Sequence, residues 1–447
     1  IEELKKANDA KTAASIVRRY NKYMEKLSTD TSVIYVLYSL NTDNKKYVKA
    51  QNTVDEVMPN ISNYINQFQG LLLKAPYRSE LEKIFGSYLF QKYEIDAKCF
   101  DQKIIPDLIE ENKLVSQYDG ILGSAQIEFR GNIYNLSQLG KFTQDLDRQT
   151  RKEATQAIDA WVGEHEKEIG DIYDKLVHVR DSMAKKLGYP NYIPLGYYRL
   201  GRTDYDAEMV KGYRDQIARD VVPVCNKLYK NQMKGLGIKN PQCYDYNLSF
   251  KSGNPVPAGD AKFIVNTAKN MYSSISPETK EFFAYMLDNN LMDLEARKGK
   301  APGGYCTGFD LYKAPFIFSN FNGTSGDVDV LTHEGGHAFQ AYTAYKYIKI
   351  PEYRNATLES CEIHSMSMEF FAWPYAKDFF GKDEERYRYL HLTNAIEFLP
   401  YGITVDEFQH WVYENPNASH AERCAKWKEI ETKYTPHKTF QSCPTLN

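Results

Sequence analysis

No stretch of the chain approaches the ~18 consecutive apolar residues that cross a bilayer, which excludes a transmembrane helix. An excess of one charge is missing as well: 56 Lys plus Arg stand against 59 Asp plus Glu, a formal net charge of −3. Nothing global therefore draws the chain to nucleic acid or to an anionic membrane, and the expected partner is small. Cysteine is sparse and unpatterned. The seven residues at 99, 225, 243, 306, 361, 424 and 443 are odd in number and form no CxxC pair, which predicts reduced thiols and a cytoplasmic setting. The start, Ile1-Glu2-Glu3-Leu4-Lys5-Lys6, lacks the apolar core of a signal peptide; it also lacks Met, so a removed leader is compatible with it. No period of about 20–50 residues recurs, which excludes a solenoid.

What is present suits a large enzyme. With 447 residues the chain can bury a sizeable core and enclose a site. Its 35 Tyr and 22 Phe would mostly fill that core, and some could line a channel that grips peptides by stacking and hydroxyl donation. The N-x-S/T triplets at Asn60, Asn135, Asn247, Asn322, Asn355 and Asn417 read as chance matches, because a glycan on Asn322 would obstruct the site described below.

The first two hundred residues carry helical periodicity over Ala10–Leu27, Val54–Leu73, Ser79–Tyr93, Leu136–Val162 and Lys167–Leu187. Breaks fall at Asn41-Thr42-Asp43-Asn44 and at Phe129-Arg130-Gly131-Asn132, the second predicting a small hairpin. Residues 234–260, rich in Gly, Pro and Asn, predict a long surface loop, after which helical pattern resumes over Ala261–Asp288. Tyr305 to Asn322 then reads as two extended pieces turning near Tyr312-Lys313-Ala314-Pro315. The expected class is mainly α with a small sheet, divided into a helical lobe over 1–200 and a second lobe over 201–447.

Directly after the sheet comes Thr324-Ser325-Gly326-Asp327-Val328-Asp329, with Thr324 or Ser325 as N-cap and acids in the first turn, so a helix should begin there. It carries His333-Glu334-Gly335-Gly336-His337. One helical turn separates the histidines, so both imidazoles can meet one ion, and zinc is the ion this donor type suits. Glu334, rotated about 100° from His333, points beside that ion, where a carboxylate can take a proton from water. Gly335 and Gly336 each cost a helix about 1 kcal/mol, which predicts another backbone packed closely against them.

Zinc in a hydrolytic site takes three protein ligands and leaves a position for water. The third should come from the helical segment Thr357 to Phe371, where Glu359, Glu362, Met366 and Glu369 share one face. By geometry alone Glu359 and Glu362 are equal candidates, with Cys361 and His364 facing elsewhere.

The motifs resemble the thimet oligopeptidase and oligoendopeptidase F family of zinc metallopeptidases, gluzincin in type and nearest the bacterial oligoendopeptidase F-like enzymes. The likeness runs through Tyr305-Cys306-Thr307, Ala314 to Thr324, the HEGGH helix and Glu362-Ile363-His364-Ser365-Met366-Ser367-Met368-Glu369. It extends more weakly to Leu187-Gly188-Tyr189, Tyr198 to Arg202, Leu399 to Gly402 and Asp406 to His410. The resemblance implies a two-lobed, zincin-like helical fold around a deep channel, and zinc-dependent endopeptidase activity on short unstructured peptides. It implies that the third ligand is Glu362, since 337 + 25 = 362, that Glu369 orients a ligand, and that Glu334 is the catalytic base. It further implies that the strand containing Phe316, Phe318 and Asn320 is a sheet edge to which substrate adds main chain to main chain. By the same resemblance the chain lacks a C-terminal stretch whose His and Tyr stabilise the oxyanion. His391, His410, His420, His437, Tyr401 and Tyr434 stand in no matching context, so none is assigned. That expectation carries a rival, a catalytically impaired zinc-containing peptide-binding protein; a metal-free helical scaffold is a third reading.

Overall fold

Gly86 and Ser276 decide where two of the expected helices break. In the computed structural model, which describes residues 1–438 and 444–446, the 79–93 segment is two helices, Arg78–Phe85 and Ser87–Cys99. Gly86 joins them at φ 88°, a left-handed conformation that a side chain disfavours. The 261–288 segment divides likewise into Ala261–Ile275 and Pro277–Asp288. Pro277 forces Ser276 into extended backbone, and the Ser276 hydroxyl caps the next helix by accepting from Thr279 N.

Elsewhere helices are longer than periodicity predicted. α1 (Ala10–Leu40) is capped by Asp9 and α2 (Lys45–Leu73) by Asn44, so the break at 41–44 falls where expected. Leu136–Val162 and Lys167–Leu187 are not two helices. A short turn of helix ends at Gly140, Asp147 accepts from Gln149 N and Thr150 N, and α3 (Arg148–Leu187) runs unbroken for 40 residues. The hairpin is present as β1 (Ile127–Phe129) against β2 (Asn132–Tyr134), with Arg130 and Gly131 both at positive φ in the turn.

The predicted loop spans most of 237–260, and Asp245 anchors it: fully buried, it receives Arg148 at 2.7 Å and the buried Arg151 at 3.0 Å. Cys243 in this loop is disulfide-bonded, which corrects the expectation of seven reduced thiols. Spacing along a chain does not disclose which thiols folding brings together. Cys99, Cys225, Cys306, Cys361 and Cys424 are free.

The second sheet has three strands. The two extended pieces expected over 305–322 are β4 (Tyr305–Phe309) and β5 (Ala314–Phe321), which pair antiparallel with Tyr305 opposite Phe318. β3 (Met292–Glu295), which periodicity did not show, pairs parallel with β5, giving the order β3-β5-β4. β5 is thus the inner strand over 314–318, a correction to the placing of Phe316 and Phe318 on a free edge, whereas Asn320 lies beyond the last residue paired with β4. Phe318 is fully buried, stacked on Tyr305 at 4.7 Å, and Phe316 is buried beside it. Asn320 spends its amide on the carbonyls of Ala301 and Gly303, both at 2.8 Å. The helix Gly326–Tyr347 packs on this sheet, and its inner face joins the core of Ile264, Met271, Tyr272, Phe282, Phe283 and Ile317. The fold is mainly helical, with the sheet beside the helix that bears the paired histidines.

Candidate metal centre

α4 (Gly326–Tyr347) starts differently from the capping predicted for Thr324 or Ser325. No side chain caps from Ser325; instead Asp327 reaches back and accepts from Asn322 N at 2.9 Å and Gly323 N at 2.8 Å. This fixes the turn that delivers β5 into the helix. About two turns in, the rings of His333 and His337 lie 5.0 Å apart and nearly perpendicular.

The two glycines bring the second element in. A Cβ at Gly336 would stand 2.6 Å from the carbonyl oxygen of His364 and 2.7 Å from Ser365 Cα, both on α5 (Leu358–Phe371). A Cβ at Gly335 would meet the Tyr272 hydroxyl. The helices therefore touch backbone to backbone at Gly336, which places Glu362 over the histidines.

Glu362 Oε2 lies 3.1 Å from His333 Nε2 and 3.6 Å from His337 Nε2. Donors on a tetrahedral zinc with bonds of about 2.1 Å stand about 3.4 Å apart, so the two distances bracket the requirement. All three donor atoms fall within 4.8 Å of one another, and they are the one such group among the described residues. Two imidazoles and one carboxylate are also the chemistry zinc favours. The alternative, Glu359, turns away to Arg202 at 2.7 Å, so the structure separates two residues that helical spacing could not.

Glu334 stands beside these donors, 7% exposed, with Oε2 buried and without a partner. Burial pushes its carboxyl up to about 7 against the opposing charge of His333, and Glu362 and Glu369 add to the rise. On its other side lies Gly304, at the entrance to β4: a Cβ there would sit 3.7 Å from Glu334 Oε1. The start of an edge strand therefore runs past the buried carboxylate.

Around the donors the hydrogen bonds have a fixed direction. Trp373 Nε1 can only donate, and it donates to His391 Nδ1 at 3.0 Å. His391 must then carry its proton on Nε2, which donates to Glu369 Oε2 at 2.6 Å. Glu369 Oε1 accepts in turn from His333 Nδ1 at 2.6 Å, leaving the His333 Nε2 lone pair for an ion. Burial alone would lower the His333 pKa, but the bond to Glu369 and the neighbouring carboxylates raise it. Glu369 and Glu362, despite burial, are held below the usual carboxylate range, the first by His333 and His391 and the second by Ser365 and the histidines. Ser365 donates to Glu362 Oε2 at 2.6 Å.

Glu369 thus lies between His333 and His391 and accepts from both. His391, unassigned on the sequence, and Trp373, which the sequence did not mark, join the site; a lone His in a helical pattern carries no signal of its destination. His364, expected to face elsewhere, lies with Nε2 at 3.1 Å from His337 Nδ1. His410 and His420 make other contacts, with Tyr197 and Glu166.

Residues 141–442 match the family described as Peptidase family M3, and residues 1–100 match the Peptidase M3 N-terminal domain. Among solved structures, PZ peptidase A with inhibitor 2 is 47% identical over 98% of this chain and 78% of its own, with a TM-score of 0.97. An oligoendopeptidase F from Bacillus anthracis str. Ames is 48% identical over 99% of this chain and 81% of its own, with a TM-score of 0.96. No curated protein matches.

Proposed function

The chain belongs to peptidase family M3, and from that premise we propose that it is a zinc-dependent oligoendopeptidase acting on short unstructured peptides. The observation that carries the reading is the convergence of two imidazole nitrogens and a Glu362 oxygen beside the unpartnered carboxylate of Glu334. His333, His337 and Glu362 would hold the ion. When bound, zinc supplies Lewis acidity, polarising a carbonyl and making water easier to deprotonate.

Glu334 receives a proton from the attacking water and passes it to the departing amine. Its burial suits the task, because a carboxyl raised towards neutrality gives up a proton as readily as it takes one. Glu369 holds His333 in the ligating tautomer. Substrate addition, main chain to main chain, belongs to β4 in this reading, since β5 over 314–318 is covered by β4 and β4 begins beside Glu334. Selection then rests on backbone more than on side chains, as a short-peptide enzyme requires.

A two-lobed body around a deep channel, divided at residue 200, is part of the same proposal, as is the absence of nucleic-acid and membrane partners. No helix among the described residues is long and apolar enough to cross a membrane. Cytoplasmic residence is proposed from the five free thiols, with the Cys243 disulfide weighing against it.

Zinc-loaded protein should cleave an internally quenched fluorescent peptide. Glu334→Gln should keep one equivalent of zinc and lose about 10²–10⁴-fold in turnover; a variant cleaving at the wild-type rate rejects the assignment.

A further inference from the structure

A histidine that ligates through Nε2 must carry its proton on Nδ1, and something must accept from that proton. For His333 the acceptor is a carboxylate, which has no other choice. For His337 it is the Nε2 of another imidazole, His364, at 3.1 Å with the rings nearly perpendicular. An imidazole can donate or accept, so this second contact has no direction of its own. Were His364 to carry its proton on Nε2, His337 Nδ1 would have to accept. The His337 proton would then sit on Nε2, on the atom that faces Glu362 and the ion. The tautomer of His364 therefore selects the tautomer of His337.

His364 has little freedom to leave this position. Its own carbonyl lies against Gly336, where the backbones of α4 and α5 touch. Its neighbours on α5 are fixed too: Ser365 is fully buried and bonded to Glu362, and Glu362 faces both histidines.

We propose that His364 is a positioning residue for the metal centre, holding its proton on Nδ1 and accepting from His337 Nδ1–H so that the His337 Nε2 lone pair stays directed at the ion. The two ligating histidines are then backed unequally, one by a carboxylate and one by a neutral ring. Electron release from the carboxylate makes His333 the stronger donor and His337 the weaker and more replaceable one. The inference rests on the zinc-binding reading above, but not on catalysis.

The test is zinc affinity, measured by competition with a chromophoric chelator, in wild type, His364→Leu and His364→Gln. Leu removes the acceptor and should weaken zinc binding about 10–100-fold; Gln restores an acceptor oxygen and should recover most of that loss. Cobalt-substituted protein supplies a second readout, since a disordered His337 should shift and weaken the visible absorption of His364→Leu while His364→Gln resembles wild type. Leu binding zinc as tightly as wild type overturns the proposal. Two-bond ¹H–¹⁵N spectra of histidine-labelled, unmodified protein test it without any variant: His364 should show a protonated Nδ1 and bare Nε2, and the reverse pattern overturns it. If wild type itself binds no zinc, the function proposed above fails first; if only the variant series fails to separate, that function stands and this inference falls.

Discussion

Glu369 and His333 form a 2.6 Å hydrogen bond between Oε1 and Nδ1, and that one contact fixes the orientation of a half-buried imidazole and leaves its Nε2 facing Glu362. The second oxygen of Glu369 is occupied by His391, so the carboxylate cannot swing away without abandoning a buried ring.

Removing the carboxylate should therefore act on the metal before it acts on the fold. Glu369→Ala is expected to lower zinc affinity about 10–100-fold, with Glu369→Gln intermediate because its amide oxygen can still accept from one histidine. Chelator competition measures both.

Gly336 should not tolerate a methyl group. A Cβ 2.6 Å from the His364 carbonyl must push α4 and α5 apart. Gly336→Ala is expected to cost about 1–3 kcal/mol of stability, read as a lower unfolding midpoint, and to weaken zinc binding because Glu362 moves with α5. Ala at the exposed Gly235, where nothing lies within 4 Å, is the control and should leave zinc binding unchanged.

Much of this centre was legible in the sequence, for physical reasons. Helical geometry places His333 and His337 on one face whatever surrounds them, and paired glycines announce a close backbone. Which of Glu359 and Glu362 faces the histidines was not legible from spacing, because both lie on the same helical face; Arg202, far away in the chain, holds Glu359 away from them. The inner position of β5 was hidden for a similar reason. Its second partner, Met292–Glu295, is four residues long and shows no period by which to recognise it. His391 and Trp373 reach the site only through tertiary packing. Helix ends were misjudged where a single cap or proline, at Asp147 or Pro277, outweighed periodicity.

Glu397 makes the pH dependence testable away from the metal. Burial pushes this carboxyl from 4.5 up to about 7, Lys438 opposes the rise, and its Oε1 has no partner. The folded state thus holds the proton more tightly than the unfolded chain. This group's contribution to stability is complete below about pH 4.5, declines as pH rises towards 7, and is lost above that. Glu397→Gln should accordingly stabilise the protein by roughly 1–3 kcal/mol at pH 8 and by almost nothing at pH 4.5, as urea unfolding at the two values would show.

The Arg151–Asp245 pair anchors the loop after residue 236. Both side chains are buried, so Arg151→Ala leaves a carboxylate in the interior with Arg148 as its remaining ion-pair partner. A loss of about 3–5 kcal/mol is expected, with thermal unfolding as the measurement.

The central claim is tested most directly by diffraction from zinc-loaded crystals on both sides of the zinc absorption edge. The account predicts one anomalous peak, bonded to Nε2 of His333, Nε2 of His337 and an oxygen of Glu362 at about 2.0–2.2 Å, with Glu334 beside it but not bonded to it. No peak between those three side chains, or a peak held by other residues, would contradict it.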